Sequence, residues 1–108
     1  MAMEKVFIGT KLKRNINIAP IDGVTMDAYD FQVEFISDSP NYERVVVEKK
    51  DAKRVDSSNY IVPVDTSALS TGYLICIVTA YIPDVDFAGG VRTEIVEVET
   101  GVELVVKP

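Results

Sequence analysis

Apolar and polar residues alternate with a period of two along much of this chain. Phe31, Val33 and Phe35 are interleaved with Gln32 and Glu34, which predicts a strand with one buried and one wet face. Leu12, Ile16 and Ile18 lie among Lys13, Asn15 and Asn17 in the same manner. Val45-Val46-Val47 opens a third strand that runs into the charged turn Lys49–Arg54, and Tyr60–Val64 is a fourth. Pro63 has no N–H to give to a ladder, so this strand is expected at an edge or with a bulge. Tyr73–Ile82 is the longest candidate. Leu74, Cys76, Val78 and Ala80 form one face, and Tyr73, Ile75, Ile77 and Tyr81 the other. A strand apolar on both faces is either central in its sheet or covered by a partner. Val91–Val98 and Val102–Val106 follow, with Thr100-Gly101 read as the turn of a hairpin. Thr93, Glu94, Glu97 and Glu99 keep one side of that hairpin polar.

Helical signal is confined to Asp65–Leu69, which opens on capping residues, stops by Gly72 and has room for one turn. Two long loops are expected, Ala19–Tyr29 and Pro83–Gly90. Composition strengthens the strand reading. Valine and isoleucine number 17 and 10, against 4 leucines and 7 alanines, and β-branched side chains favour a pleated sheet. About seven short strands at regular spacing predict a single domain over 1–108, an all-β, immunoglobulin-like antiparallel sandwich. A small barrel is the alternative. Tyr73, just after Gly72 at the start of the long strand, has the placement of a tyrosine corner, whose hydroxyl would tie the preceding turn to the strand.

What is missing narrows the chemistry. The chain has no histidine, no tryptophan and one cysteine. This excludes a Ser-His-Asp triad, a Cys-His dyad, a histidine-ligated metal and an internal disulfide. Cys76, flanked by Ile75 and Ile77, reads as a small buried hydrophobe. The expectation is a protein that is not an enzyme and needs no cofactor. Of the net charge of −6, residues 1–54 contribute nothing, with nine basic and nine acidic residues. Residues 55–108 supply all of it, with two against eight. Such a surface repels phosphate backbones, so nucleic acid is not an expected partner. The basic clusters Lys11-Lys13-Arg14 and Arg44 through Arg54 read as solvated surface. No apolar h-region follows Met1-Ala2-Met3-Glu4-Lys5, and no run approaches a membrane span, so neither secretion nor a membrane is expected.

Two acidic groups are candidates for chemistry. Asp84-Val85-Asp86 could give two oxygens to calcium, but the further ligands of a calcium loop are lacking. The expected reading is therefore a hairpin loop with Gly89-Gly90 at its turn and no metal. Asp22, Asp27 and Asp30 form the second group, without a nucleophile or oxyanion cradle beside them. Phe87, at the loop tip, either tucks back as a lid on the core, the commoner fate of a large apolar side chain, or anchors a partner. Arg92 near that tip has the charge to read an acidic partner, and a surface ion pair is the other expectation.

The phrase Asn59-Tyr60-Ile61-Val62-Pro63-Val64-Asp65-Thr66-Ser67-Ala68-Leu69-Ser70-Thr71-Gly72-Tyr73, followed by Val78-Thr79-Ala80-Tyr81-Ile82-Pro83-Asp84 and Val91-Arg92-Thr93-Glu94, resembles small immunoglobulin-like virion proteins of tailed phages, crAss-like phages among them. Its order of strand, D-T-S-x-L-x-x-G and long strand is also similar to N-terminal modules of baseplate upper proteins. The resemblance implies a structural virion protein, made in the host bacterial cytoplasm, that decorates a capsid or joins a head fibre or baseplate to the particle. Its partners would be capsid or other virion proteins, with a homo-oligomer possible, and it brings no catalytic residues. Tyr73, Ile75, Ile77, Tyr81, Phe87 and Arg92 are the expected contact residues. A carbohydrate- or cell-surface-binding module is the alternative, disfavoured by the missing tryptophan.

Overall fold

The alternating segments pair as two sheets. A computed structural model describes residues 3–18, 23–41 and 43–108. In chain order the strands are β1 (Glu4–Phe7), β2 (Lys11–Asn17), β3 (Asp30–Ser37), β4 (Arg44–Glu48), β5 (Lys53–Asp56), β6 (Asn59–Asp65), β7 (Gly72–Pro83) and β8 (Val91–Val105). One sheet has the order β1-β8-β7-β3-β4, the other β2-β6-β5. The chain crosses between sheets after β1, β2, β4 and β6, and turns back within a sheet after β3, β5 and β7. This is an immunoglobulin-like β-sandwich, and its one cysteine is free and buried. All pairs are antiparallel except β1 with β8, which is parallel from Glu4↔Val102 to Phe7↔Val105.

The inward-facing positions of both sheets make the core. Phe31, Val33 and Phe35 of β3, Val62 of β6, and Cys76 and Val78 of β7 are all fully buried. Phe31 meets the ring of Tyr60 edge-on at 5.2 Å, a favoured aromatic geometry. Close packing of this kind gives each buried apolar side chain ~1.5–3 kcal/mol of transfer free energy. The predicted helical segment is a single 3-10 turn, Thr66–Ala68, capped where Asp65 accepts from the Ser67 N–H at 3.0 Å. Thr66 is buried with its hydroxyl donating to the Thr10 carbonyl at 2.7 Å and accepting from the Gly9 N–H at 3.0 Å. That turn therefore locks the β1–β2 connection to the end of β6.

Several expectations change. There is no hairpin at Thr100-Gly101: β8 runs through it for 15 residues. The pairs Tyr73↔Glu103 and Ile75↔Glu99 show that β8 carries two extra residues opposite β7 there. Gly101 takes a left-handed φ of 67°, and Thr100 closes the bulge by donating its hydroxyl to the Leu74 carbonyl at 2.7 Å and accepting from the Val102 N–H. A turn signature thus serves as a bulge. The molecule is elongated, with extents of 52 × 28 × 27 Å.

Pro63 is not on an edge strand, since β6 is the middle of its sheet. However, β5 stops opposite Ile61, so Pro63 is paired on the β2 side alone, with Lys13. A proline fits where half the ladder is missing. Lys49–Arg54 is not one turn either: a 3-10 turn at Lys49–Asp51 leads into β5. The Lys49 ammonium donates to the carbonyls of Met26, Asp27 and Tyr29 at 3.0, 3.2 and 2.7 Å. It thereby staples that crossing to the turn before β3. No helix among the described residues is long and apolar enough to cross a membrane.

Candidate interaction surface

The outer face of the five-stranded sheet carries apolar side chains that the core does not use. Period-two alternation on β7 puts Tyr73, Ile75, Ile77, Thr79 and Tyr81 there, opposite the core residues Leu74, Cys76 and Val78. Registers extend the face sideways. Ile75 lies beside Ile36 of β3 and Glu99 of β8; Ile77 beside Glu34 and Glu97; Thr79 beside Gln32 and Ile95. On β4, Val46 lies beside Glu34.

This face has a graded exposure. Ile36 is only 8% exposed although it lies outside the core cluster, because its neighbours on β3, β4 and β7 shield it. Ile75 and Ile77 are half-buried, whereas Tyr81 and Tyr73 are exposed and Ile95 is 67% exposed. The rim is charged. Glu97 and Glu99 border the β7 row on the β8 side, and on the β3 side Glu34, paired with Arg44 at 2.7 Å, stands between Ile77 and Val46. A partner suited to it has an apolar centre and a basic margin.

Sequence reasoning therefore placed four of the six expected contact residues, Tyr73, Ile75, Ile77 and Tyr81, on one face. It missed Ile36, Val46 and Ile95, whose membership depends on the pairing of neighbouring strands. Tyr73 is not a tyrosine corner: its side chain stands on the outer face, 53% exposed, and it is its backbone carbonyl that accepts from the Asp38 N–H at 2.9 Å.

Phe87 and Arg92 belong to a different place. Phe87 lies in the β7–β8 loop, 51% exposed and not a lid on the core. Arg92 pairs with Ile82, an inward position of β7, so it faces away from Tyr81. Its guanidinium donates to Asp84 at 2.5 Å, with the side chains 19% and 15% exposed, and sits 3.9 Å from Glu94. The other Asp84 oxygen accepts from the Asp86 N–H at 2.9 Å. Both oxygens of Asp84 are thus engaged in holding the loop, which leaves the Asp84/Asp86 pair poorly suited to a cation. No group of three or more potential metal ligands occurs among the described residues. Burial, and then the negative charge of Glu94, pushes the Tyr29 phenol up.

The second acidic group is structural as well. Asp27 accepts from Arg54 at 2.9 and 3.0 Å and from the Tyr60 hydroxyl at 2.6 Å. Those two hydrogen bonds, Arg54 first, hold its carboxyl down to about 2. Asp30 accepts from the Phe31 N–H, and Asp22 lies outside the described residues. Asp27, held ionised by Arg54 and Tyr60, does not have the raised carboxyl of a general acid. Comparison with protein-family models, with curated proteins and with solved structures finds no match.

Proposed function

We propose that this chain is a non-enzymatic structural protein of a phage particle, a capsid-decorating, auxiliary or fibre-attachment component. It attaches through the outer face of its five-stranded sheet. The observation that carries this reading is the apolar row Ile75–Ile77–Tyr81 on the central strand, half-buried at the isoleucines and exposed at Tyr81 where an isolated sandwich would place polar residues, and continued by the exposed Ile95 on β8. The likeness of the Asn59–Tyr73 segment to immunoglobulin-like virion proteins supplies the setting. A single face of this size binds weakly. Repeated over the identical sites of a particle, it gains avidity without new contacts.

The carbohydrate reading finds less support. Tyr73 and Tyr81, the exposed aromatics of the face, are eight residues apart on one strand, on the order of 27 Å, too far to stack on adjacent sugar rings.

The test is co-sedimentation of the purified protein with purified phage particles. The wild type is expected to pellet with the particles, and Ile77→Asp and Tyr81→Lys to lose binding at least tenfold while keeping the wild-type circular dichroism. Lys53→Ala, on the opposite sheet, is expected to bind normally. Failure of the wild type to co-sediment, or binding that both face variants retain, would sink the proposal. Binding to a soluble-glycan array that Tyr81→Ala abolishes would transfer the face to the alternative.

A further inference from the structure

The first nine residues of β8, Val91–Glu99, form a free sheet edge. Among the described residues they pair only with β7, since β1 takes the other side of β8 from Val102 onward. Unpaired edges are templates for strand addition, and proteins usually blunt them with lysine, proline or shortness. The other free edges obey that rule. β1, β2, β4 and β5 are four to seven residues long, and each carries a lysine or arginine: Lys5, Lys11, Arg44 and Lys53. The Val91–Glu99 edge is longer, has no lysine or proline, holds its one basic residue, Arg92, in an ion pair with Asp84 of the loop before it, and exposes Val91, Ile95 and Val96 by 43%, 67% and 45%.

We infer that this edge pairs antiparallel with the same edge of a second copy, centred on Ile95, to make one continuous ten-stranded sheet. The occupant follows from register. Directly opposed residues share a sheet face and faces alternate along a strand, so a two-fold axis normal to the sheet permits only registers in which opposed residues have the same parity. Centring on Glu94 would oppose two like charges, which is destabilising. Centring on Val96 would set Ile95 against Glu97 of the other copy. Centring on Thr93 would run the Ala88–Gly90 turn against the second strand. Centring on Ile95 uses the whole free stretch, with Val91 against Glu99, Thr93 against Glu97 and Glu94 against Val96. It buries the most exposed residue of the strand against its twin and opposes no carboxylate to another.

A strand pair is a small interface, so the dimer is weak, and the −6 charge of each copy opposes it at low salt. The experiment is molar mass by light scattering on the full chain from about 10 μM to 1 mM in about 0.3 M salt. The mass is expected to climb from 11.9 kDa toward twice that value, and Ile95→Lys to hold it at the monomer with an unchanged melting temperature. A second readout fixes the register. Ile95→Cys is expected to give a disulfide-linked dimer on mild oxidation, because opposed Cα atoms lie within disulfide reach. Thr93→Cys and Glu97→Cys alone are expected not to. Cys76 stays silent in this assay because it is buried. A mass that stays monomeric throughout, a dimer that Ile95→Lys leaves intact, or cross-linking at Thr93→Cys equal to that at Ile95→Cys would overturn the inference. Ile95 borders both surfaces, but Ile77→Asp and Tyr81→Lys change the attachment face on β7 and leave this edge intact, so dimerisation by those variants without particle binding, or the reverse, separates the failure of one proposal from that of the other.

Discussion

The two halves of β8 are similar in composition and opposite in circumstance. After the bulge, Val102 and Leu104 are 1% and 0% exposed, because β7 lies on one side, β1 on the other and the core beneath. Before it, Ile95 and Val96 stand 67% and 45% exposed, with a neighbour on the β7 side only. Valine and glutamate recur through both halves. Val96 pairs with the inward Val78, so what separates it from Val102 and Leu104 is the number of strands and layers alongside, while Ile95 also faces outward; stability is therefore concentrated in the second half and binding capacity in the first.

The contrast can be broken most severely at its buried end. Leu104→Ala is expected to cost about 2–5 kcal/mol by cavity formation, and Val96→Ala less than about 1 kcal/mol, both read from urea midpoints. Equal losses would erase the distinction. Gly72 pairs with Leu104 and adopts a φ of 132°. A Cβ there would collide with the Asp38 carbonyl oxygen, a contact that only a backbone shift can relieve. Gly72→Ala is expected to lower stability by at least about 2 kcal/mol, and a neutral result would mean that β7 and the Asp38 turn move apart freely. The junction itself is weaker. Thr100→Val removes the hydroxyl that satisfies the Leu74 carbonyl and is expected to cost about 1–2 kcal/mol, with hydrogen exchange rising at Val102 before it rises at Val78.

Acid sharpens the comparison from the opposite sheet, with the smallest effect. Asp27 has its carboxyl held down to about 2 against an ordinary 3.8. It is depressed in the folded state, so its contribution is complete above 3.8 and disappears as pH falls toward 2. The melting temperature should decline over that window, and Asp27→Asn should flatten part of the decline. Asp56 and Asp65 are lowered too, by hydrogen bonds led by Asn59 and Ser67, so some slope is expected to remain. A slope untouched by Asp27→Asn would remove the Arg54–Asp27–Tyr60 clamp from the account of acid stability.

Local pattern carried most of the architecture. The alternation in Phe31–Phe35 and Tyr73–Ile82 specifies strands and their buried faces, and the valine-rich composition specifies the class. The failures share one cause, which is that pairing is not local. Thr100-Gly101 has the composition of a turn, and only the continuation of β7 opposite it makes it a bulge. Pro63 is tolerated in a middle strand because β5 ends early, a fact about β5. β1 is four residues, EKVF, too short for periodicity to show. The candidate face was legible along β7, where the side chains follow one another in sequence, and illegible across it. Ile36, Val46 and Ile95 join only through register. Arg92 was expected near the loop tip, but its sheet face was not legible, since that depends on its pairing with Ile82 of β7.

The parallel pairing of β1 with β8 also has a kinetic meaning. Glu4 and Val102 are partners across nearly the whole chain, so their contact closes one of the largest loops the molecule contains, and the entropy of that closure is met by four residue pairs. The hairpins β3–β4, β5–β6 and β7–β8 can form from neighbouring sequence, but the sheet is sealed only when the two distant segments meet. Folding on the millisecond-to-second scale is the expected consequence of so non-local a topology, with the β1 seam the last part to close and the first to open.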